Sequence, residues 1–474
     1  MVHASSRRPR FDVTATGKGT TGRSGTALLA EVADTLGLTA ALYSEVNRCR
    51  SWWEHAPGKV VRDLVVMLAD GGDALRHLAT LGGEDQQVLF GQVASAATAN
   101  RTVVALAEDE LVAERLAAAR RDARRQAWAR GGAPPVVAAA TAGEQPAEPL
   151  CIDLDATLIT AHSDDKDGAA PTYKRTFGFH PLLAYLDRGD GLGESLGGML
   201  RPGNAGANTA ADHIDCFETA LWQLEGLVPD GVDVVVRADT AGCSYAFLDW
   251  LRQAGVGFSV GFAVNEQVRA AIRDLPADAW VPARRQDGSP RNADGDERAA
   301  VAELTDDSRI DLAGYPPGAR LLVRREPLHP GAQQTIDDID GARFTCFLTD
   351  QPGDDLAALD VRHRGHARVE DRIRGAKDTG ARNLPCESFD RNNVWLQLVL
   401  MAQDLMCFMQ TLTLEGELRV AEPASLRYKL LHAPAQIVRC AGRRVELRVQ
   451  RDWPWANELV AAFGRLRALP LPAT

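Results

Sequence analysis

The sequence predicts an α/β fold, in which three consecutive strands are followed by alternating helices and strands. The first strand is the apolar run LCIDLDATLIT at residues 150–160, and two more, with glycine-rich turns, lie within residues 177–204. The continuous apolar run VDVVVRADTAG indicates a strand that is buried on both faces. The alternating part has helices at 209–224 and 245–255 and strands at 232–242 and 257–264. This order of elements is that of a ribonuclease-H-like fold.

The N-terminal part of the chain has the apolar spacing of helices. In ALLAEVADTLGLTAALYSEV, residues 27–46, apolar side chains recur at helical intervals, and Gly37 and Leu38 stand where a helix-turn-helix would turn. A later helix at residues 110–130 carries several arginines, which favours a solvated charged face slightly over phosphate binding. These features predict a helical domain that contributes to DNA binding.

Shifts in composition divide the chain further. The run GGAPPVVAAATAGEQPAEP is typical of a linker. A polar, turn-rich run at residues 283–300 interrupts the alternation of helices and strands, and two strand-like runs follow it. The predicted regions are a mobile basic tail (1–24), a helical N-terminal DNA-binding domain (25–130), a linker (131–149), the first part of the ribonuclease-H-like core (150–265), a β-rich insertion (266–360), the second part of the core (361–412) and a basic C-terminal region (413–474).

The charge of the chain is unevenly distributed. The 474 residues have a net charge of −11, but residues 151–360 hold 18 basic and 35 acidic residues, whereas residues 361–474 hold 18 basic and 12 acidic ones. A local basic face decides contact with phosphate, whatever the total charge. We therefore expect the C-terminal third of the chain to contact nucleic acid.

Cysteine usage and hydropathy bear on the compartment. The eight cysteines include no CxxC pair, which is typical of a protein in a reducing cytosol. No apolar run reaches the length of about 20 residues that spans a bilayer. We expect a cytoplasmic protein that makes no membrane contact and is nucleoid-associated when it is bound to DNA.

Acidic residues on two strands and one helix are candidate metal ligands. Asp153 and Asp155 are two residues apart on one strand, so their side chains point to the same face. Asp239 ends the strand that neighbours it in this fold, and Glu370 lies in a basic helix further along the chain. Carboxylates at strand ends can converge on hard divalent cations. Two such ions can clamp the attacking and leaving oxygens of a phosphoryl displacement.

The helix that contains Glu370 carries many basic side chains. Like charges on neighbouring turns add little to a purely structural helix, so they predict contact with a polyanion, which weakens as salt increases. Lys377 lies two turns after Glu370 and shares its face. The glycine- and asparagine-rich run that begins at Arg201 suits a sharp turn from strand to helix and also an approach to the DNA backbone. The candidate DNA-binding residues are Arg201, His363, Arg364, His366, Arg368, Arg372, Arg374 and Lys377.

The motifs DLDATLITAH, VRADTAG and RVEDRIRGAKDTGARNLP, taken in order, resemble those of bacterial insertion-sequence transposases of the DDE class. The branch that they resemble is the cut-and-paste one with a β-rich insertion before the final glutamate. The resemblance implies an enzyme that uses a pair of Mg²⁺ ions, for which Mn²⁺ can substitute. It also implies a homodimer that binds the terminal inverted repeats, cleaves the DNA there and transfers the freed 3′-hydroxyl into a target duplex.

The resemblance assigns Asp155, Asp239 and Glu370 as the catalytic metal ligands. Asp153 is the rival for the first position, and Asp155 is preferred because a small residue and a threonine follow it, as is usual in the family. These enzymes often frame their glutamate as Y-x2-R-x3-E-x6-K. Here histidines stand at the tyrosine and arginine positions, which puts the roles of residues 363 and 366 in doubt, while the lysine is retained.

Three alternatives have sequence features of their own. In a haloacid-dehalogenase-like phosphatase, Asp153 would be the nucleophile and Asp155 the general acid and base, with GDDLAALD at residues 353–360 as later metal ligands. The glycine-flanked strands after the first motif disfavour that fold. A nuclease of the same fold would have the same three acids but would not transfer strands. A non-catalytic, DNA-binding descendant of a mobile element would not need the acids, so the presence of all three argues against it.

Overall fold

The computed structural model describes residues 18–47, 55–146, 148–291, 299–328, 338–339, 341–440 and 445–470. The strands are β1 (Thr20–Thr21), β2 (Leu150–Ala156), β3 (Ile159–Thr160), β4 (Ala170–Pro171), β5 (Phe177–Phe179), β6 (Leu182–Asp187), β7 (Gly193–Met199), β8 (Val234–Ala238), β9 (Gly257–Phe262), β10 (Val281–Pro282), β11 (Ala300–Glu303), β12 (Arg320–Pro327), β13 (Ala342–Thr349), β14 (Ala435–Arg439) and β15 (Val445–Val449).

The helices lie before, between and after these strands. They are α1 (Thr26–Thr35), α2 (Leu38–Val46), α3 (Pro57–Ala69), α4 (Gln87–Phe90), α5 (Ala96–Ala107), α6 (Val112–Ala127), α7 (Pro135–Thr141), α8 (Ala210–Leu224), α9 (Tyr245–Gln253), α10 (Glu266–Asp274), α11 (Leu356–Arg364), α12 (Arg368–Ala376), α13 (Phe389–Thr413), α14 (Gly416–Arg419), α15 (Pro423–Leu426) and α16 (Ala456–Arg467). No helix in the described parts of the chain is long and apolar enough to cross a membrane.

A large mixed sheet lies at the centre of the fold. Its strand order is β10-β11-β12-β13-β9-β8-β2-β6-β7. The strands β2, β8 and β9 are parallel to one another, whereas β6 and β7 continue from β2 as an antiparallel meander. Helices α8 and α9 connect β7 to β8 and β8 to β9. The predicted α/β class is confirmed, as is the order β2, β6, β7, α8, β8, α9 and β9 in the large sheet. The strands β3, β4 and β5, which lie between β2 and β6 in the chain and were not predicted as separate strands, form a small sheet of their own.

The residues predicted as a β-rich insertion, 266–360, extend this sheet instead of forming a sheet of their own. Strand β13 pairs antiparallel with β9, from Cys346 opposite Phe262 to Thr349 opposite Ser259. Without β13, the strand β9 would leave a row of unpaired backbone groups at the edge of the sheet. The added strands cover that edge and continue the apolar core.

Helix α13 is the central helix of the molecule. Nearly all of its side chains are buried, among them Trp395, Leu398 and Val399. A helix that is apolar on all sides must be surrounded by other elements, and the helices α1, α3, α5 and α6 and the strand β7 pack against it. The region predicted as a separate N-terminal domain, 25–130, therefore shares one continuous apolar core with the sheet.

Two arginines of α6, Arg120 and Arg124, are buried inside the protein, whereas Arg125 is exposed and Arg121 is partly exposed. The buried pair corrects the expectation of a solvated charged helix. Arg124 Nε donates to Glu194 Oε2 at 2.7 Å, and Arg120 and Arg124 donate to Asp404 Oδ2 at 3.0 and 2.9 Å. The other oxygen of Asp404 accepts the Ser195 N–H at 2.7 Å. Helix α6 packs between β7 and α13, whose buried acids require cationic partners.

The predicted tail, 1–24, and linker, 131–149, contain regular structure where they are described. Residues 1–17 lie outside the described residues, but Thr20 and Thr21 pair with Gln436 and Ala435 in a small sheet of order β1-β14-β15. Helix α7 lies within the linker sequence. The backbone hydrogen bonds of β14 hold the end of the predicted tail against the C-terminal region.

Candidate active site

The register of β2 and β8 brings two of the predicted acids together. Leu154 of β2 lies opposite Ala238 of β8 in this parallel pair. The residues that follow, Asp155 and Asp239, are therefore neighbours at the same edge of the sheet. Asp239 is exposed, and its Oδ1 accepts the Ala241 N–H at 2.9 Å, which caps the short turn after β8.

Helix α12 carries the third acid to this edge. It packs on β2 and β6, burying Val369 and Ile373 and leaving Glu370 exposed. The pKa of Asp155 is raised to about 6, mainly by burial and also by the carboxylates of Asp239 and Glu370, whereas His366 opposes the shift. The predicted acids therefore act on one another electrostatically, although they come from distant parts of the chain.

The three acids have the right donor atoms for a divalent metal ion, but their described positions do not form a complete metal site. In the parts of the chain that the structure describes, no group of three His, Cys, Asp or Glu side chains is placed to hold a metal ion. The donors are carboxylate oxygens, which hard divalent cations prefer, and a cation would relieve the repulsion that raises the pKa of Asp155. The carboxylates must move closer together to share one ion.

Asp153, the rival for the first position, is engaged in internal ion pairs. Arg237 donates to both of its oxygens, at 2.8 and 2.7 Å, and His366 Nδ1 lies 3.0 Å from Oδ1. Arg237 also donates to Asp187 at 2.6 Å. Asp153 is buried, whereas Asp155 keeps its carboxylate free of ion pairs in the described structure and is partly exposed.

Two arginines predicted to bind DNA are tied to acids of the protein. Arg364 Nε donates to Asp360 Oδ2 at 2.9 Å, and Arg368 Nη2 donates to Asp187 Oδ2 at 2.6 Å. The side chains of both acids are buried. The pair of Arg368 with Asp187 joins α12 to the end of β6, whereas Arg364 and Asp360 both belong to α11, and Asp360 also binds Arg324 of β12.

The remaining basic side chains of α12 differ in their exposure. Arg372 donates to the Gly191 carbonyl at 2.8 Å, and Arg374 is exposed beside Glu422, with an N–O distance of 3.2 Å. Lys377 is half-buried and makes no ion pair with another described residue. Of the predicted basic residues, His366 and Lys377 interact electrostatically with Asp155.

The imidazole of His363 is packed in the interior, contrary to the prediction of a DNA contact. Its ring stacks on Phe347 with centroids 4.3 Å apart and planes inclined by 6°, and Nδ1 lies 3.0 Å from Ser259 Oγ. Burial lowers the pKa of His363 to about 3. The side chain is therefore neutral at pH 7 and offers no charge to a phosphate.

Arg201 is likewise buried, where the sequence had indicated a place beside DNA. Its guanidinium donates to the carbonyl oxygens of His180 and Gly206, at 2.9 and 3.2 Å, and to Asp212 at 2.9 Å. These contacts hold the glycine-rich turn against the start of α8. The glycines that follow Arg201 are therefore better explained by the sharp turn before α8 than by contact with DNA.

Sequence reasoning missed three cations around the acids. Arg237 is two residues before Asp239 on β8, a spacing that predicts a shared strand face, but its partner Asp153 could not be inferred. Burial lowers the pKa of Lys377, and the neighbouring Arg382 and Lys174 lower it further, whereas Asp155 opposes the shift. Lys174, Lys377 and Arg382 thus form a cationic cluster, and its member Lys377 interacts with Asp155. No sequence signal connects Lys174 to the other two.

An α/β sheet with carboxylates at adjoining strand ends is an arrangement that phosphoryl-transfer enzymes use. Comparison with known families identifies the chain more closely, because the family described as transposase DDE domain, group 1, matches residues 3–471. The chain belongs to this family of DDE transposases. Membership implies that it binds DNA, and enzymes of this class generally use divalent metal ions. No curated protein matches the chain.

Proposed function

We propose that this transposase cleaves DNA at the inverted-repeat ends of its own insertion sequence and joins the freed 3′-hydroxyl to a target duplex. The observation that carries the proposal is the meeting of Asp155 and Asp239 at one sheet edge, with Glu370 close enough to raise the pKa of Asp155. The strand order β7-β6-β2-β8-β9, with β6 antiparallel to its neighbours, supports a ribonuclease-H-like core.

Asp155, Asp239 and Glu370 are the proposed ligands of a pair of Mg²⁺ ions, for which Mn²⁺ could substitute. When bound, such a pair stabilises the attacking and leaving oxygens of a phosphodiester. Lys377, which interacts with Asp155, and the neighbouring cations Lys174 and Arg382 bind the adjacent phosphates of the strand. Arg237 and His366 hold Asp153, and through it they fix β2 so that Asp155 faces the scissile phosphate.

The proposed partners are the terminal repeats, the target duplex and a second copy of this chain. One active site acts on one strand at a time, whereas both ends of an element must be cut and joined together. A homodimer on paired ends supplies two active sites for two ends. DNA binding by the N-terminal helices and the C-terminal region belongs to the same proposal, and its cytoplasmic location, near the nucleoid, follows from the substrate.

Cleavage of a DNA fragment that carries the repeats flanking the gene tests the proposal. With Mg²⁺, the purified wild type should nick each end, and Asp239→Asn and Glu370→Gln should lower the rate by about a thousandfold or more, because several kcal/mol of charge stabilisation are lost. Asparagine still caps the turn after β8. Asp371→Asn is the matched control, since Asp371 adjoins Glu370 on α12 and pairs with Arg374.

Wild-type rates in the two acid variants would contradict the proposed active site. Products joined to a second, unrelated duplex separate a transposase from a nuclease of the same fold, which would stop at cleavage. The phosphatase alternative gains no support from the structure. Asp153, its nucleophile, is bound by Arg237, and Asp360, one of its later acids, is paired with Arg324 and Arg364.

A further inference from the structure

An exposed hairpin tip lies between β4 and β5. Tyr173 is 70% exposed, the highest value among the large apolar and aromatic side chains of the described residues. Lys174 and Arg175 follow it, both exposed, and neither makes an ion pair with another described residue. The Lys174 ammonium lies 5.7 Å from the centre of the Tyr173 ring. An aromatic ring and two free cations are therefore presented together to solvent.

The base of this hairpin is rigid, although its tip is exposed. The Thr172 N–H donates to the Thr176 carbonyl at 2.7 Å, and the two threonine hydroxyls are 2.7 Å apart. Gly203 packs so closely on β4 and β5 that a Cβ atom there would lie 2.3 Å from the Gly178 carbonyl oxygen. Such a base holds the side chains at the tip in fixed positions, which lowers the entropy lost on binding.

The tip also has an unusual backbone conformation. Arg175 has φ of 60°, and it is the one non-glycine residue in the left-handed region among the described residues. Its N–H donates to the Thr172 carbonyl at 2.9 Å, which closes the turn. Strained conformations of this kind persist where the surrounding structure enforces them, and they cluster at ligand-binding sites.

Hydrogen bonds and ring contacts connect the tip to the active site. The Tyr173 ring lies 5.8 Å from the ring of His180. The next residue, Pro181, accepts the N–H of Thr157 at 3.1 Å, and Thr157 is two residues after Asp155. On its other side the tip carries Lys174, which belongs to the cationic cluster that contains Lys377, and Lys377 interacts with Asp155. The tip is thus connected both to the end of the strand that carries Asp155 and to these cations.

We propose that Tyr173 stacks on an unpaired base of the DNA end in the active site, while Lys174 and Arg175 bind the phosphates on either side of that base. Stacking on aromatic rings flanked by cations is how proteins hold single-stranded nucleic acid without reading its sequence. Lys174 and Arg175 at the tip, together with the neighbouring Lys377, which interacts with Asp155, favour DNA over a protein partner. This inference rests on the proposed function and adds a nucleotide subsite to it.

The stacking contact can be tested by measuring how variants of Tyr173 bind DNA probes with and without unpaired bases. Fluorescence anisotropy compares a duplex that ends in an overhang of three thymidines with the same duplex whose overhang has abasic sites, without divalent metal. The wild type should bind the thymidine overhang about tenfold more tightly. Tyr173→Ala should bind both probes equally, at the wild-type affinity for the abasic overhang, and Tyr173→Trp should keep the preference.

Tyr245→Ala is the matched control, because Tyr245 is 58% exposed and its ring contacts Tyr315 instead of His180; it should bind as the wild type does. An unchanged thermal midpoint for Tyr173→Ala shows that the fold is intact. The inference is wrong if Tyr173→Ala keeps the preference, or if the wild type shows none. Suppose that Tyr173→Ala loses the preference for the thymidine overhang, but the wild type does not cleave the flanking repeats. That result would support the nucleotide subsite and contradict only the proposed function.

Discussion

At the residue scale, two aspartates of one strand have different environments. Asp153 and Asp155 lie on the same face of β2, yet Arg237 binds both oxygens of Asp153, whereas Asp155 faces the carboxylates of Asp239 and Glu370. A nearby cation stabilises a charged carboxylate, and burial beside other carboxylates destabilises it. Asp153 is therefore suited to a structural ion pair, and Asp155 is suited to binding a cation.

The buried histidine of α11 makes the stability of the protein depend on pH. His363 has a pKa of about 3 in the folded chain and about 6.5 when unfolded. Between these values the unfolded state binds a proton that the folded state does not bind. This side chain therefore makes the free energy of unfolding fall as the pH falls from about 6.5 towards 3.

His363→Phe should remove that dependence and keep a ring against Phe347. Between pH 7 and pH 5, we expect its free energy of unfolding to fall less than that of the wild type, by up to about 2 kcal/mol. Urea denaturation at the two pH values measures the difference. His162→Phe is the control at an exposed position. Equal pH slopes in the wild type and His363→Phe would contradict the buried, neutral imidazole.

At the element scale, α13 holds the two halves of the chain together. Its apolar side chains contact the N-terminal helices on one side and β7 on the other. Asp404, in the middle of the helix, receives Arg120 and Arg124 from α6 and the Ser195 N–H from β7. A single buried carboxylate thus links three elements that are far apart in sequence.

Removal of that carboxylate should destabilise the protein strongly. Asp404→Ala leaves two buried guanidinium groups without one of their partners, and breaking a buried ion pair costs about 3–5 kcal/mol. Chemical denaturation monitored by circular dichroism measures the loss. Asp390→Ala, at the exposed start of α13, should cost about 1 kcal/mol or less. Similar losses in the two variants would show that the buried network contributes little.

At the scale of the whole molecule, the main apolar core runs from α1 to α16. It includes the N-terminal helices, the central strands of the sheet, one face of the added strands and α13, while the other face of the added strands packs in a small second cluster with α11. The small sheet of β1, β14 and β15 joins the two ends of the described chain. Several of the regions that composition distinguishes therefore share one core in the folded chain.

We expect the protein to unfold in one cooperative transition. Differential scanning calorimetry should show a single peak, because separating the N-terminal helices from α13 would expose the centre of the core. A fragment that begins at residue 150 should be insoluble or unfolded, since it exposes the faces of α13 and β7 that α3 and α6 cover. Two separate peaks, or a soluble folded fragment, would contradict a shared core.

The sequence by itself determined the α/β class, the order of elements from β2 to β9 and the family. It also placed Asp155 and Asp239 at the ends of neighbouring strands. These are local properties, because strand periodicity and the residue that ends a strand are visible within about ten residues. The resemblance of ordered motifs then supplied Glu370, which no local pattern would connect to the other two acids.

Only the tertiary structure decided which charges are inside and which strands are neighbours. Arg120 and Arg124 appear from the sequence to lie on a solvated helix, and their partner Asp404 is about 280 residues away. The added strands join β9 because its edge needs a partner, and the hairpin that carries Tyr173 packs closely on its neighbour because residue 203 is a glycine. Burial and ion pairing depend on what the rest of the chain brings near, which a linear pattern does not contain.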